Sequence, residues 1–135
     1  MRKDFLKYED ALALKELGFD EPCFGGYLRD TKELWIGYVE SQGGEQFNRD
    51  YHITAPIYQQ AFRFFREKYN MLPTIYSNAS GWCFEYHDNE GGTHRYDSGY
   101  TGDCEMSGAF TSYEKAELAC LKKLIEICTN SNTKV

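Results

Sequence analysis

The chain has 135 residues, 41% of them hydrophobic and 27% charged, and a formal net charge of -6. This balance excludes a disordered chain, and no apolar run approaches the ~18 residues a transmembrane helix needs. The negative charge argues against general binding to a nucleic-acid backbone, though not against a local basic groove, and suits a basic partner.

The length points to a single α+β domain over residues 1–129, with a frayed tail at 130–135. Five cysteines (Cys23, Cys83, Cys104, Cys120 and Cys128) are odd in number and scattered, with no C-x-x-C. The first residues carry charge but no apolar signal-peptide core, so reduced thiols in the cytoplasm are expected. Asn78-Ala-Ser80 fits the glycosylation pattern but reads as a turn in that compartment.

A first helix is expected over 4–17, with Phe5, Tyr8, Leu12, Leu14 and Leu17 as its apolar stripe and Gly18 just past its end. Two strands, 23–28 and 34–39, flank the polar connection Arg29–Glu33. Gly25 and Gly26 weaken the first strand unless they form a bulge or allow a close backbone approach. Residues 41–53 carry no regular pattern. A second helix is expected from Thr54 as N-cap, with Ile57, Tyr58, Ala61, Phe62, Phe65 and Tyr69 on one face and Asn70 as its stop.

Strands are expected at 74–77, 82–87 and 93–96. In the second of these, Trp82, Phe84 and Tyr86 alternate with Cys83, Glu85 and His87. Residues 97–109 read as a glycine-rich acidic loop. The last helix is expected over about 112–129, opened by a capping box from Thr111 to Glu114. The fold class that follows is α+β, in the order αββαββ(β)α, with three helices on a mainly antiparallel sheet. The apolar face of the last helix is wider than a sheet contact needs. Leu118, Leu121 and Ile125 therefore read as an edge for a homo-oligomer.

Four candidate chemistries can be weighed. Cys83, Glu85 and His87 share one side of a strand, and with His94 they are a possible zinc set, although zinc sites usually show tighter ligand pairs. The loop from Asp97 to Glu105 lacks the oxygen spacing of a calcium loop. Cys104 has Asp103 and Glu105 as neighbours, which disfavour a thiolate, whichever of His52, His87 or His94 serves as base. A ligand groove would use Arg63, Arg66, Tyr58, Arg95, Tyr96 and Tyr100, because arginine and aromatic side chains recognise phosphates and bases. No phosphate loop, dinucleotide fingerprint or nucleophile elbow occurs in the chain. No cofactor is expected.

Three stretches, Ala11–Cys23, Thr54–Tyr69 and Thr111–Glu126, resemble small proteins carried by phages and mobile elements of gut bacteria. The resemblance implies an accessory protein made inside a bacterial cell, and it carries no functional residue with it. The expected function is a non-catalytic binding protein in counter-defence, which sequesters a host nucleotide signal or blocks a host protein. The alternatives are an acidic protein-docking module and a small metal-dependent or cysteine enzyme.

Overall fold

The structure is a computed structural model that describes residues 2–37, 52–88, 95–101 and 109–133. Its elements follow in chain order. A 3-10 turn at Arg2–Asp4 leads into α1 (Tyr8–Glu16), β1 (Gly25–Leu28), β2 (Leu34–Ile36) and β3 (His52–Ala55). Then come α2 (Tyr58–Tyr69), β4 (Met71–Asn78), β5 (Gly81–Asp88), β6 (Arg95–Asp97), the one-turn α3 (Ser98–Thr101) and α4 (Tyr113–Thr133). The chain is α+β. Where one sheet was expected, the described strands form two, ordered β2-β1-β3 and β4-β5-β6 and antiparallel throughout. The chain divides into two compact units, Met1–Phe64 and Phe65–Val135.

In the first unit, α1 begins at Tyr8, four residues later than its stripe suggested. Tertiary contacts claim the residues before it. Phe5 bridges to Ile57, and the Leu6 N–H donates to the Pro56 carbonyl at 3.0 Å. The Phe5 ring lies so close to β1 that a Cβ on Gly25 would stand 2.5 Å from it. Close approach, and not a bulge, is therefore what Gly25 permits. At the other end of α1, Gly18 takes φ 100°. Its N–H donates to Lys15 O, and the Phe19 N–H reaches back to Leu14 O at 2.9 Å. This pair of bonds is a Schellman closure, and its apolar residues Leu14 and Phe19 are both buried.

The β1–β2 connection closes as the polar stretch predicts. The Lys32 N–H donates to Leu28 O at 2.8 Å with Lys32 at φ 56°. β3 is the strand that residue patterning misses. His52, Ile53, Thr54 and Ala55 are all buried, so no polar alternation marks them. Thr54 is thus a strand residue opposite Gly26 and not a helix cap. Pro56 biases Ala55 toward extended backbone, and α2 starts only after the Ile57 bridge. Around this sheet, Tyr27 Oη donates to Leu6 O at 2.8 Å, and the Phe19 and Phe64 rings meet edge-on at 5.4 Å.

In the second unit, α2 ends where Asn70 takes φ 56°, as expected of a stop residue. β4 and β5 each run to eight residues, longer than expected, and Pro73 lies inside β4. Pro73 stands opposite Tyr86 on an edge strand. On β5 the N–H groups of Trp82 and Phe84 point to the other neighbour. By alternation, Tyr86–Pro73 is a non-hydrogen-bonded pair, and the N–H that proline lacks faces the open edge. The Asn78 carboxamide accepts from the N–H groups of Ser80 and Gly81, closing the β4–β5 turn.

Ser112, and not Thr111, caps α4: the Lys115 N–H donates to Ser112 Oγ at 3.2 Å. The expected capping box is therefore one residue out of register, and Lys115 stands where its acid would be needed. α4 extends to Thr133, past the expected end at 129, because no glycine or proline interrupts it. Its inner face is Ala116, Cys120, Leu121, Leu124 and Cys128, all buried. Leu121 is fully enclosed by its own chain, which withdraws it from the proposed oligomer edge. Leu118 and Ile125 are half-buried. No helix of the described residues is long and apolar enough to cross a membrane.

Candidate functional site

The residues expected to hold a ligand occupy separate elements. Tyr58, Arg63 and Arg66 are on α2, while Arg95 and Tyr96 are on β6 and Tyr100 is on α3. Arg63 is engaged, because its Nη2 donates to Glu21 Oε1 at 3.0 Å. Arg66 is exposed. The Tyr58 ring lies 6.3 Å from that of Phe62. Tyr96 is layered between Phe84, at 5.4 Å and 22°, and Tyr86, at 5.7 Å and 12°, and Lys123 Nζ sits 4.7 Å from its ring centre. Tyr96 is built into an aromatic stack and does not present a bare face for a base.

The expected alternation on β5 is present: Cys83, Glu85 and His87 lie on the face away from Trp82, Phe84 and Tyr86. Cys83 is nevertheless fully buried. Asn78 Nδ2 donates to its Sγ at 3.5 Å, and a Cβ on Gly99 would come within 3.3 Å of that sulfur. Asp97 stands opposite Glu85 on the same face. Its Oδ1 accepts from Tyr76 Oη at 2.5 Å and from the Gly99 N–H at 2.9 Å. Burial first, and then the bond to Asp97, push the Tyr76 hydroxyl well above its ordinary pKa. This cluster ties β4, β6 and α3 together. Among the described residues no group of three or more His, Cys, Asp or Glu is placed to hold a metal ion. His94 lies outside the described residues, as does Cys104. Burial pushes the thiols of Cys23 and Cys120 up to about 12 and that of Cys128 to about 11, so these three stay protonated and unreactive near neutrality.

The feature that sequence reasoning missed is an apolar patch on the β1–β2 hairpin. Phe24 is 59% exposed and Trp35 51%, while Ile36, paired with Gly25, lies on the other sheet face. Trp35 pairs with Gly26, and the Gly37 N–H donates to Phe24 O at 2.7 Å. Phe24 and Trp35 therefore share one sheet face, diagonally placed, and each stands opposite a glycine. The same bonding pattern turns the backbone groups of Leu34 and Ile36 toward the outer edge of β2, where Arg2 Nη1 reaches Leu34 O at 3.4 Å. A strand signal with alternating apolar residues marks these residues as strand in sequence. It does not say that both aromatics face outward, because glycines occupy the positions that would otherwise reveal the face.

No family model, curated protein or solved structure matches the chain.

Proposed function

We propose that this chain is a non-catalytic binding protein that docks on a protein of its bacterial host through the Phe24–Trp35 patch, in the counter-defence setting that the phage resemblance implies. One observation carries this reading. Two large aromatic side chains, each more than half exposed, stand side by side on an edge hairpin. Exposed aromatics gathered this way have the composition of a binding hot spot, in which a ring enters a socket on the partner. The chain's charge of -6 selects a partner surface that is basic around that socket. Sequestering a nucleotide has less support, because Arg63 is paired with Glu21 and Tyr96 is stacked within its own sheet.

The test is capture by the tagged chain in a bacterial lysate, comparing the native sequence with the double variant Phe24→Ser/Trp35→Ser. The native chain should retain a specific basic protein. The variant should keep its melting temperature within a few degrees, since exposed side chains contribute little to folding, and lose that protein. Retention by both chains would show that the patch is not the docking surface. Tight binding of a nucleotide in calorimetry would return the reading to the nucleotide branch.

A further inference from the structure

Strand β2 lies at the outside of its sheet, and its outward hydrogen-bonding groups repeat symmetrically about one residue. The Leu28 N–H donates to Glu33 O at 3.2 Å, and the Gly37 N–H donates to Phe24 O at 2.7 Å. These two bonds fix the phase of the β1–β2 ladder, so the pair between them, Gly26–Trp35, is hydrogen-bonded as well. Trp35 therefore directs both its backbone groups to β1. Leu34 and Ile36 turn theirs outward, each with one N–H and one C=O. Among the described residues, the hydrogen bond that reaches these four groups comes from Arg2, whose Nη1 stands 3.4 Å from Leu34 O. At that length the contact is weak.

The second sheet blunts its outer strand. Pro73 on β4 removes a donor from that edge. β2 has no such residue. It reads Leu34-Trp35-Ile36, with Trp35 51% and Ile36 36% exposed. An open, apolar edge of this kind is a template for another strand.

The strand that fits is a second copy of β2. Laid antiparallel about a two-fold axis at Trp35, Leu34 of each copy stands opposite Ile36 of the other. All four outward groups of each edge then find partners, in four N–H···O bonds. An axis at Leu34 or at Ile36 leaves only the central pair. Extended backbone ends at Lys32, with φ 56°, on one side and at Gly37, with φ 104°, on the other. With the axis at Trp35, the two Trp35 residues meet in the close, non-hydrogen-bonded position, their Cα atoms about 4.5 Å apart. Phe24 shares that sheet face, and Leu34 and Ile36 meet on the opposite one.

We infer that the chain self-associates edge to edge through β2, as a two-fold dimer in which two three-stranded sheets become one of six. The contact is isologous and closes at two chains. Three residues a side bury less than the ~1,200 Å² of a stable interface, so the dimer is reversible and forms at high concentration. The inference uses the edge of β2 and is independent of the docking reading, which uses the sheet face. Its consequence for that face is a doubled aromatic patch, Phe24 and Trp35 of both copies in one row.

The test is sedimentation equilibrium of the full chain under reducing conditions, from about 10 µM to about 1 mM. The average mass should climb from that of one chain toward that of two and stop there. Ile36→Pro removes an N–H that bonds only across the axis, and symmetry doubles the loss, so the dissociation constant should rise about tenfold. Trp35→Lys and Trp35→Glu each set like charges opposite one another, and each should stay monomeric, while an equimolar mixture of the two should associate. These substitutions fall on exposed side chains, and the variants should melt within a few degrees of the native chain. Should Ile36→Pro fail to fold, the lysine–glutamate mixture decides alone. A native chain that stays single at 1 mM, or grows past two, overturns the inference. So does a mixture no more associated than its components, or a folded Ile36→Pro that associates as tightly as the native chain.

Discussion

Buried thiols set the response of this protein to alkali. Cys23 and Cys120 are raised from 9.0 to about 12, and Cys128 to about 11, in each case chiefly by burial. The unfolded chain therefore releases these protons at lower pH than the folded one does. The stability held in the neutral thiols is complete below pH ~9 and is lost as the pH climbs toward the folded values. Urea melts under reducing conditions should show stability falling from about pH 9 upward, and Cys120→Ala should make that fall shallower. Tyr76, raised by burial and by Asp97, adds to the same alkaline loss. Gly25 is as decisive as these side chains. Gly25→Ala would press a methyl group into the Phe5 ring, at an expected cost of about 1–3 kcal/mol in a chemical melt. Neither effect is legible from neighbours in sequence, because the ring that crowds Gly25 and the shells around the thiols come from elsewhere in the chain.

At the scale of elements, local chemistry was readable wherever the deciding groups are near in sequence. Gly18 closes α1, Asn70 stops α2, the polar connection from Arg29 makes a hairpin and β5 alternates as its residues suggest. It failed wherever a distant partner decides. β3 is buried on both faces and leaves no period, and the start of α1 yields to the Phe5–Ile57 bridge. At the cap of α4, Ser112 Oγ accepts from the Lys115 N–H. Ser112→Ala should therefore cost about 1 kcal/mol, measured by denaturant midpoints. On the inner face of the same helix, Leu121→Ala should cost about 2–5 kcal/mol, while Ile125→Ala, at a half-buried position, should cost less.

Across the whole molecule, a net charge of -6 and a compact aromatic patch make separable predictions about binding. Long-range attraction to a basic partner is screened by salt, whereas burial of Phe24 and Trp35 in a socket is not. Raising sodium chloride from 50 to 500 mM should slow association with the captured partner and leave its dissociation nearly unchanged. Trp35→Ser should instead speed dissociation at every salt concentration, as read by surface plasmon resonance. The candidate site itself was only partly visible in sequence. Arg63 and Tyr96 were recognisable as ligand-type residues, but the first is paired with Glu21 and the second is enclosed in a stack with Phe84 and Tyr86.

The sequence by itself determined the α+β class, the two long amphipathic helices, the aromatic strand and the places where glycine, asparagine and proline forbid continuation. These follow from backbone sterics and short-range periodicity, which act over a few residues. Only the tertiary structure decided that the strands form two sheets, that β3 exists, and that Leu121 is core while Phe24 and Trp35 are surface. Each of these depends on which surfaces far apart in the chain are brought together. Apolar burial is non-directional, so a residue's hydrophobicity does not specify what covers it or whether anything does.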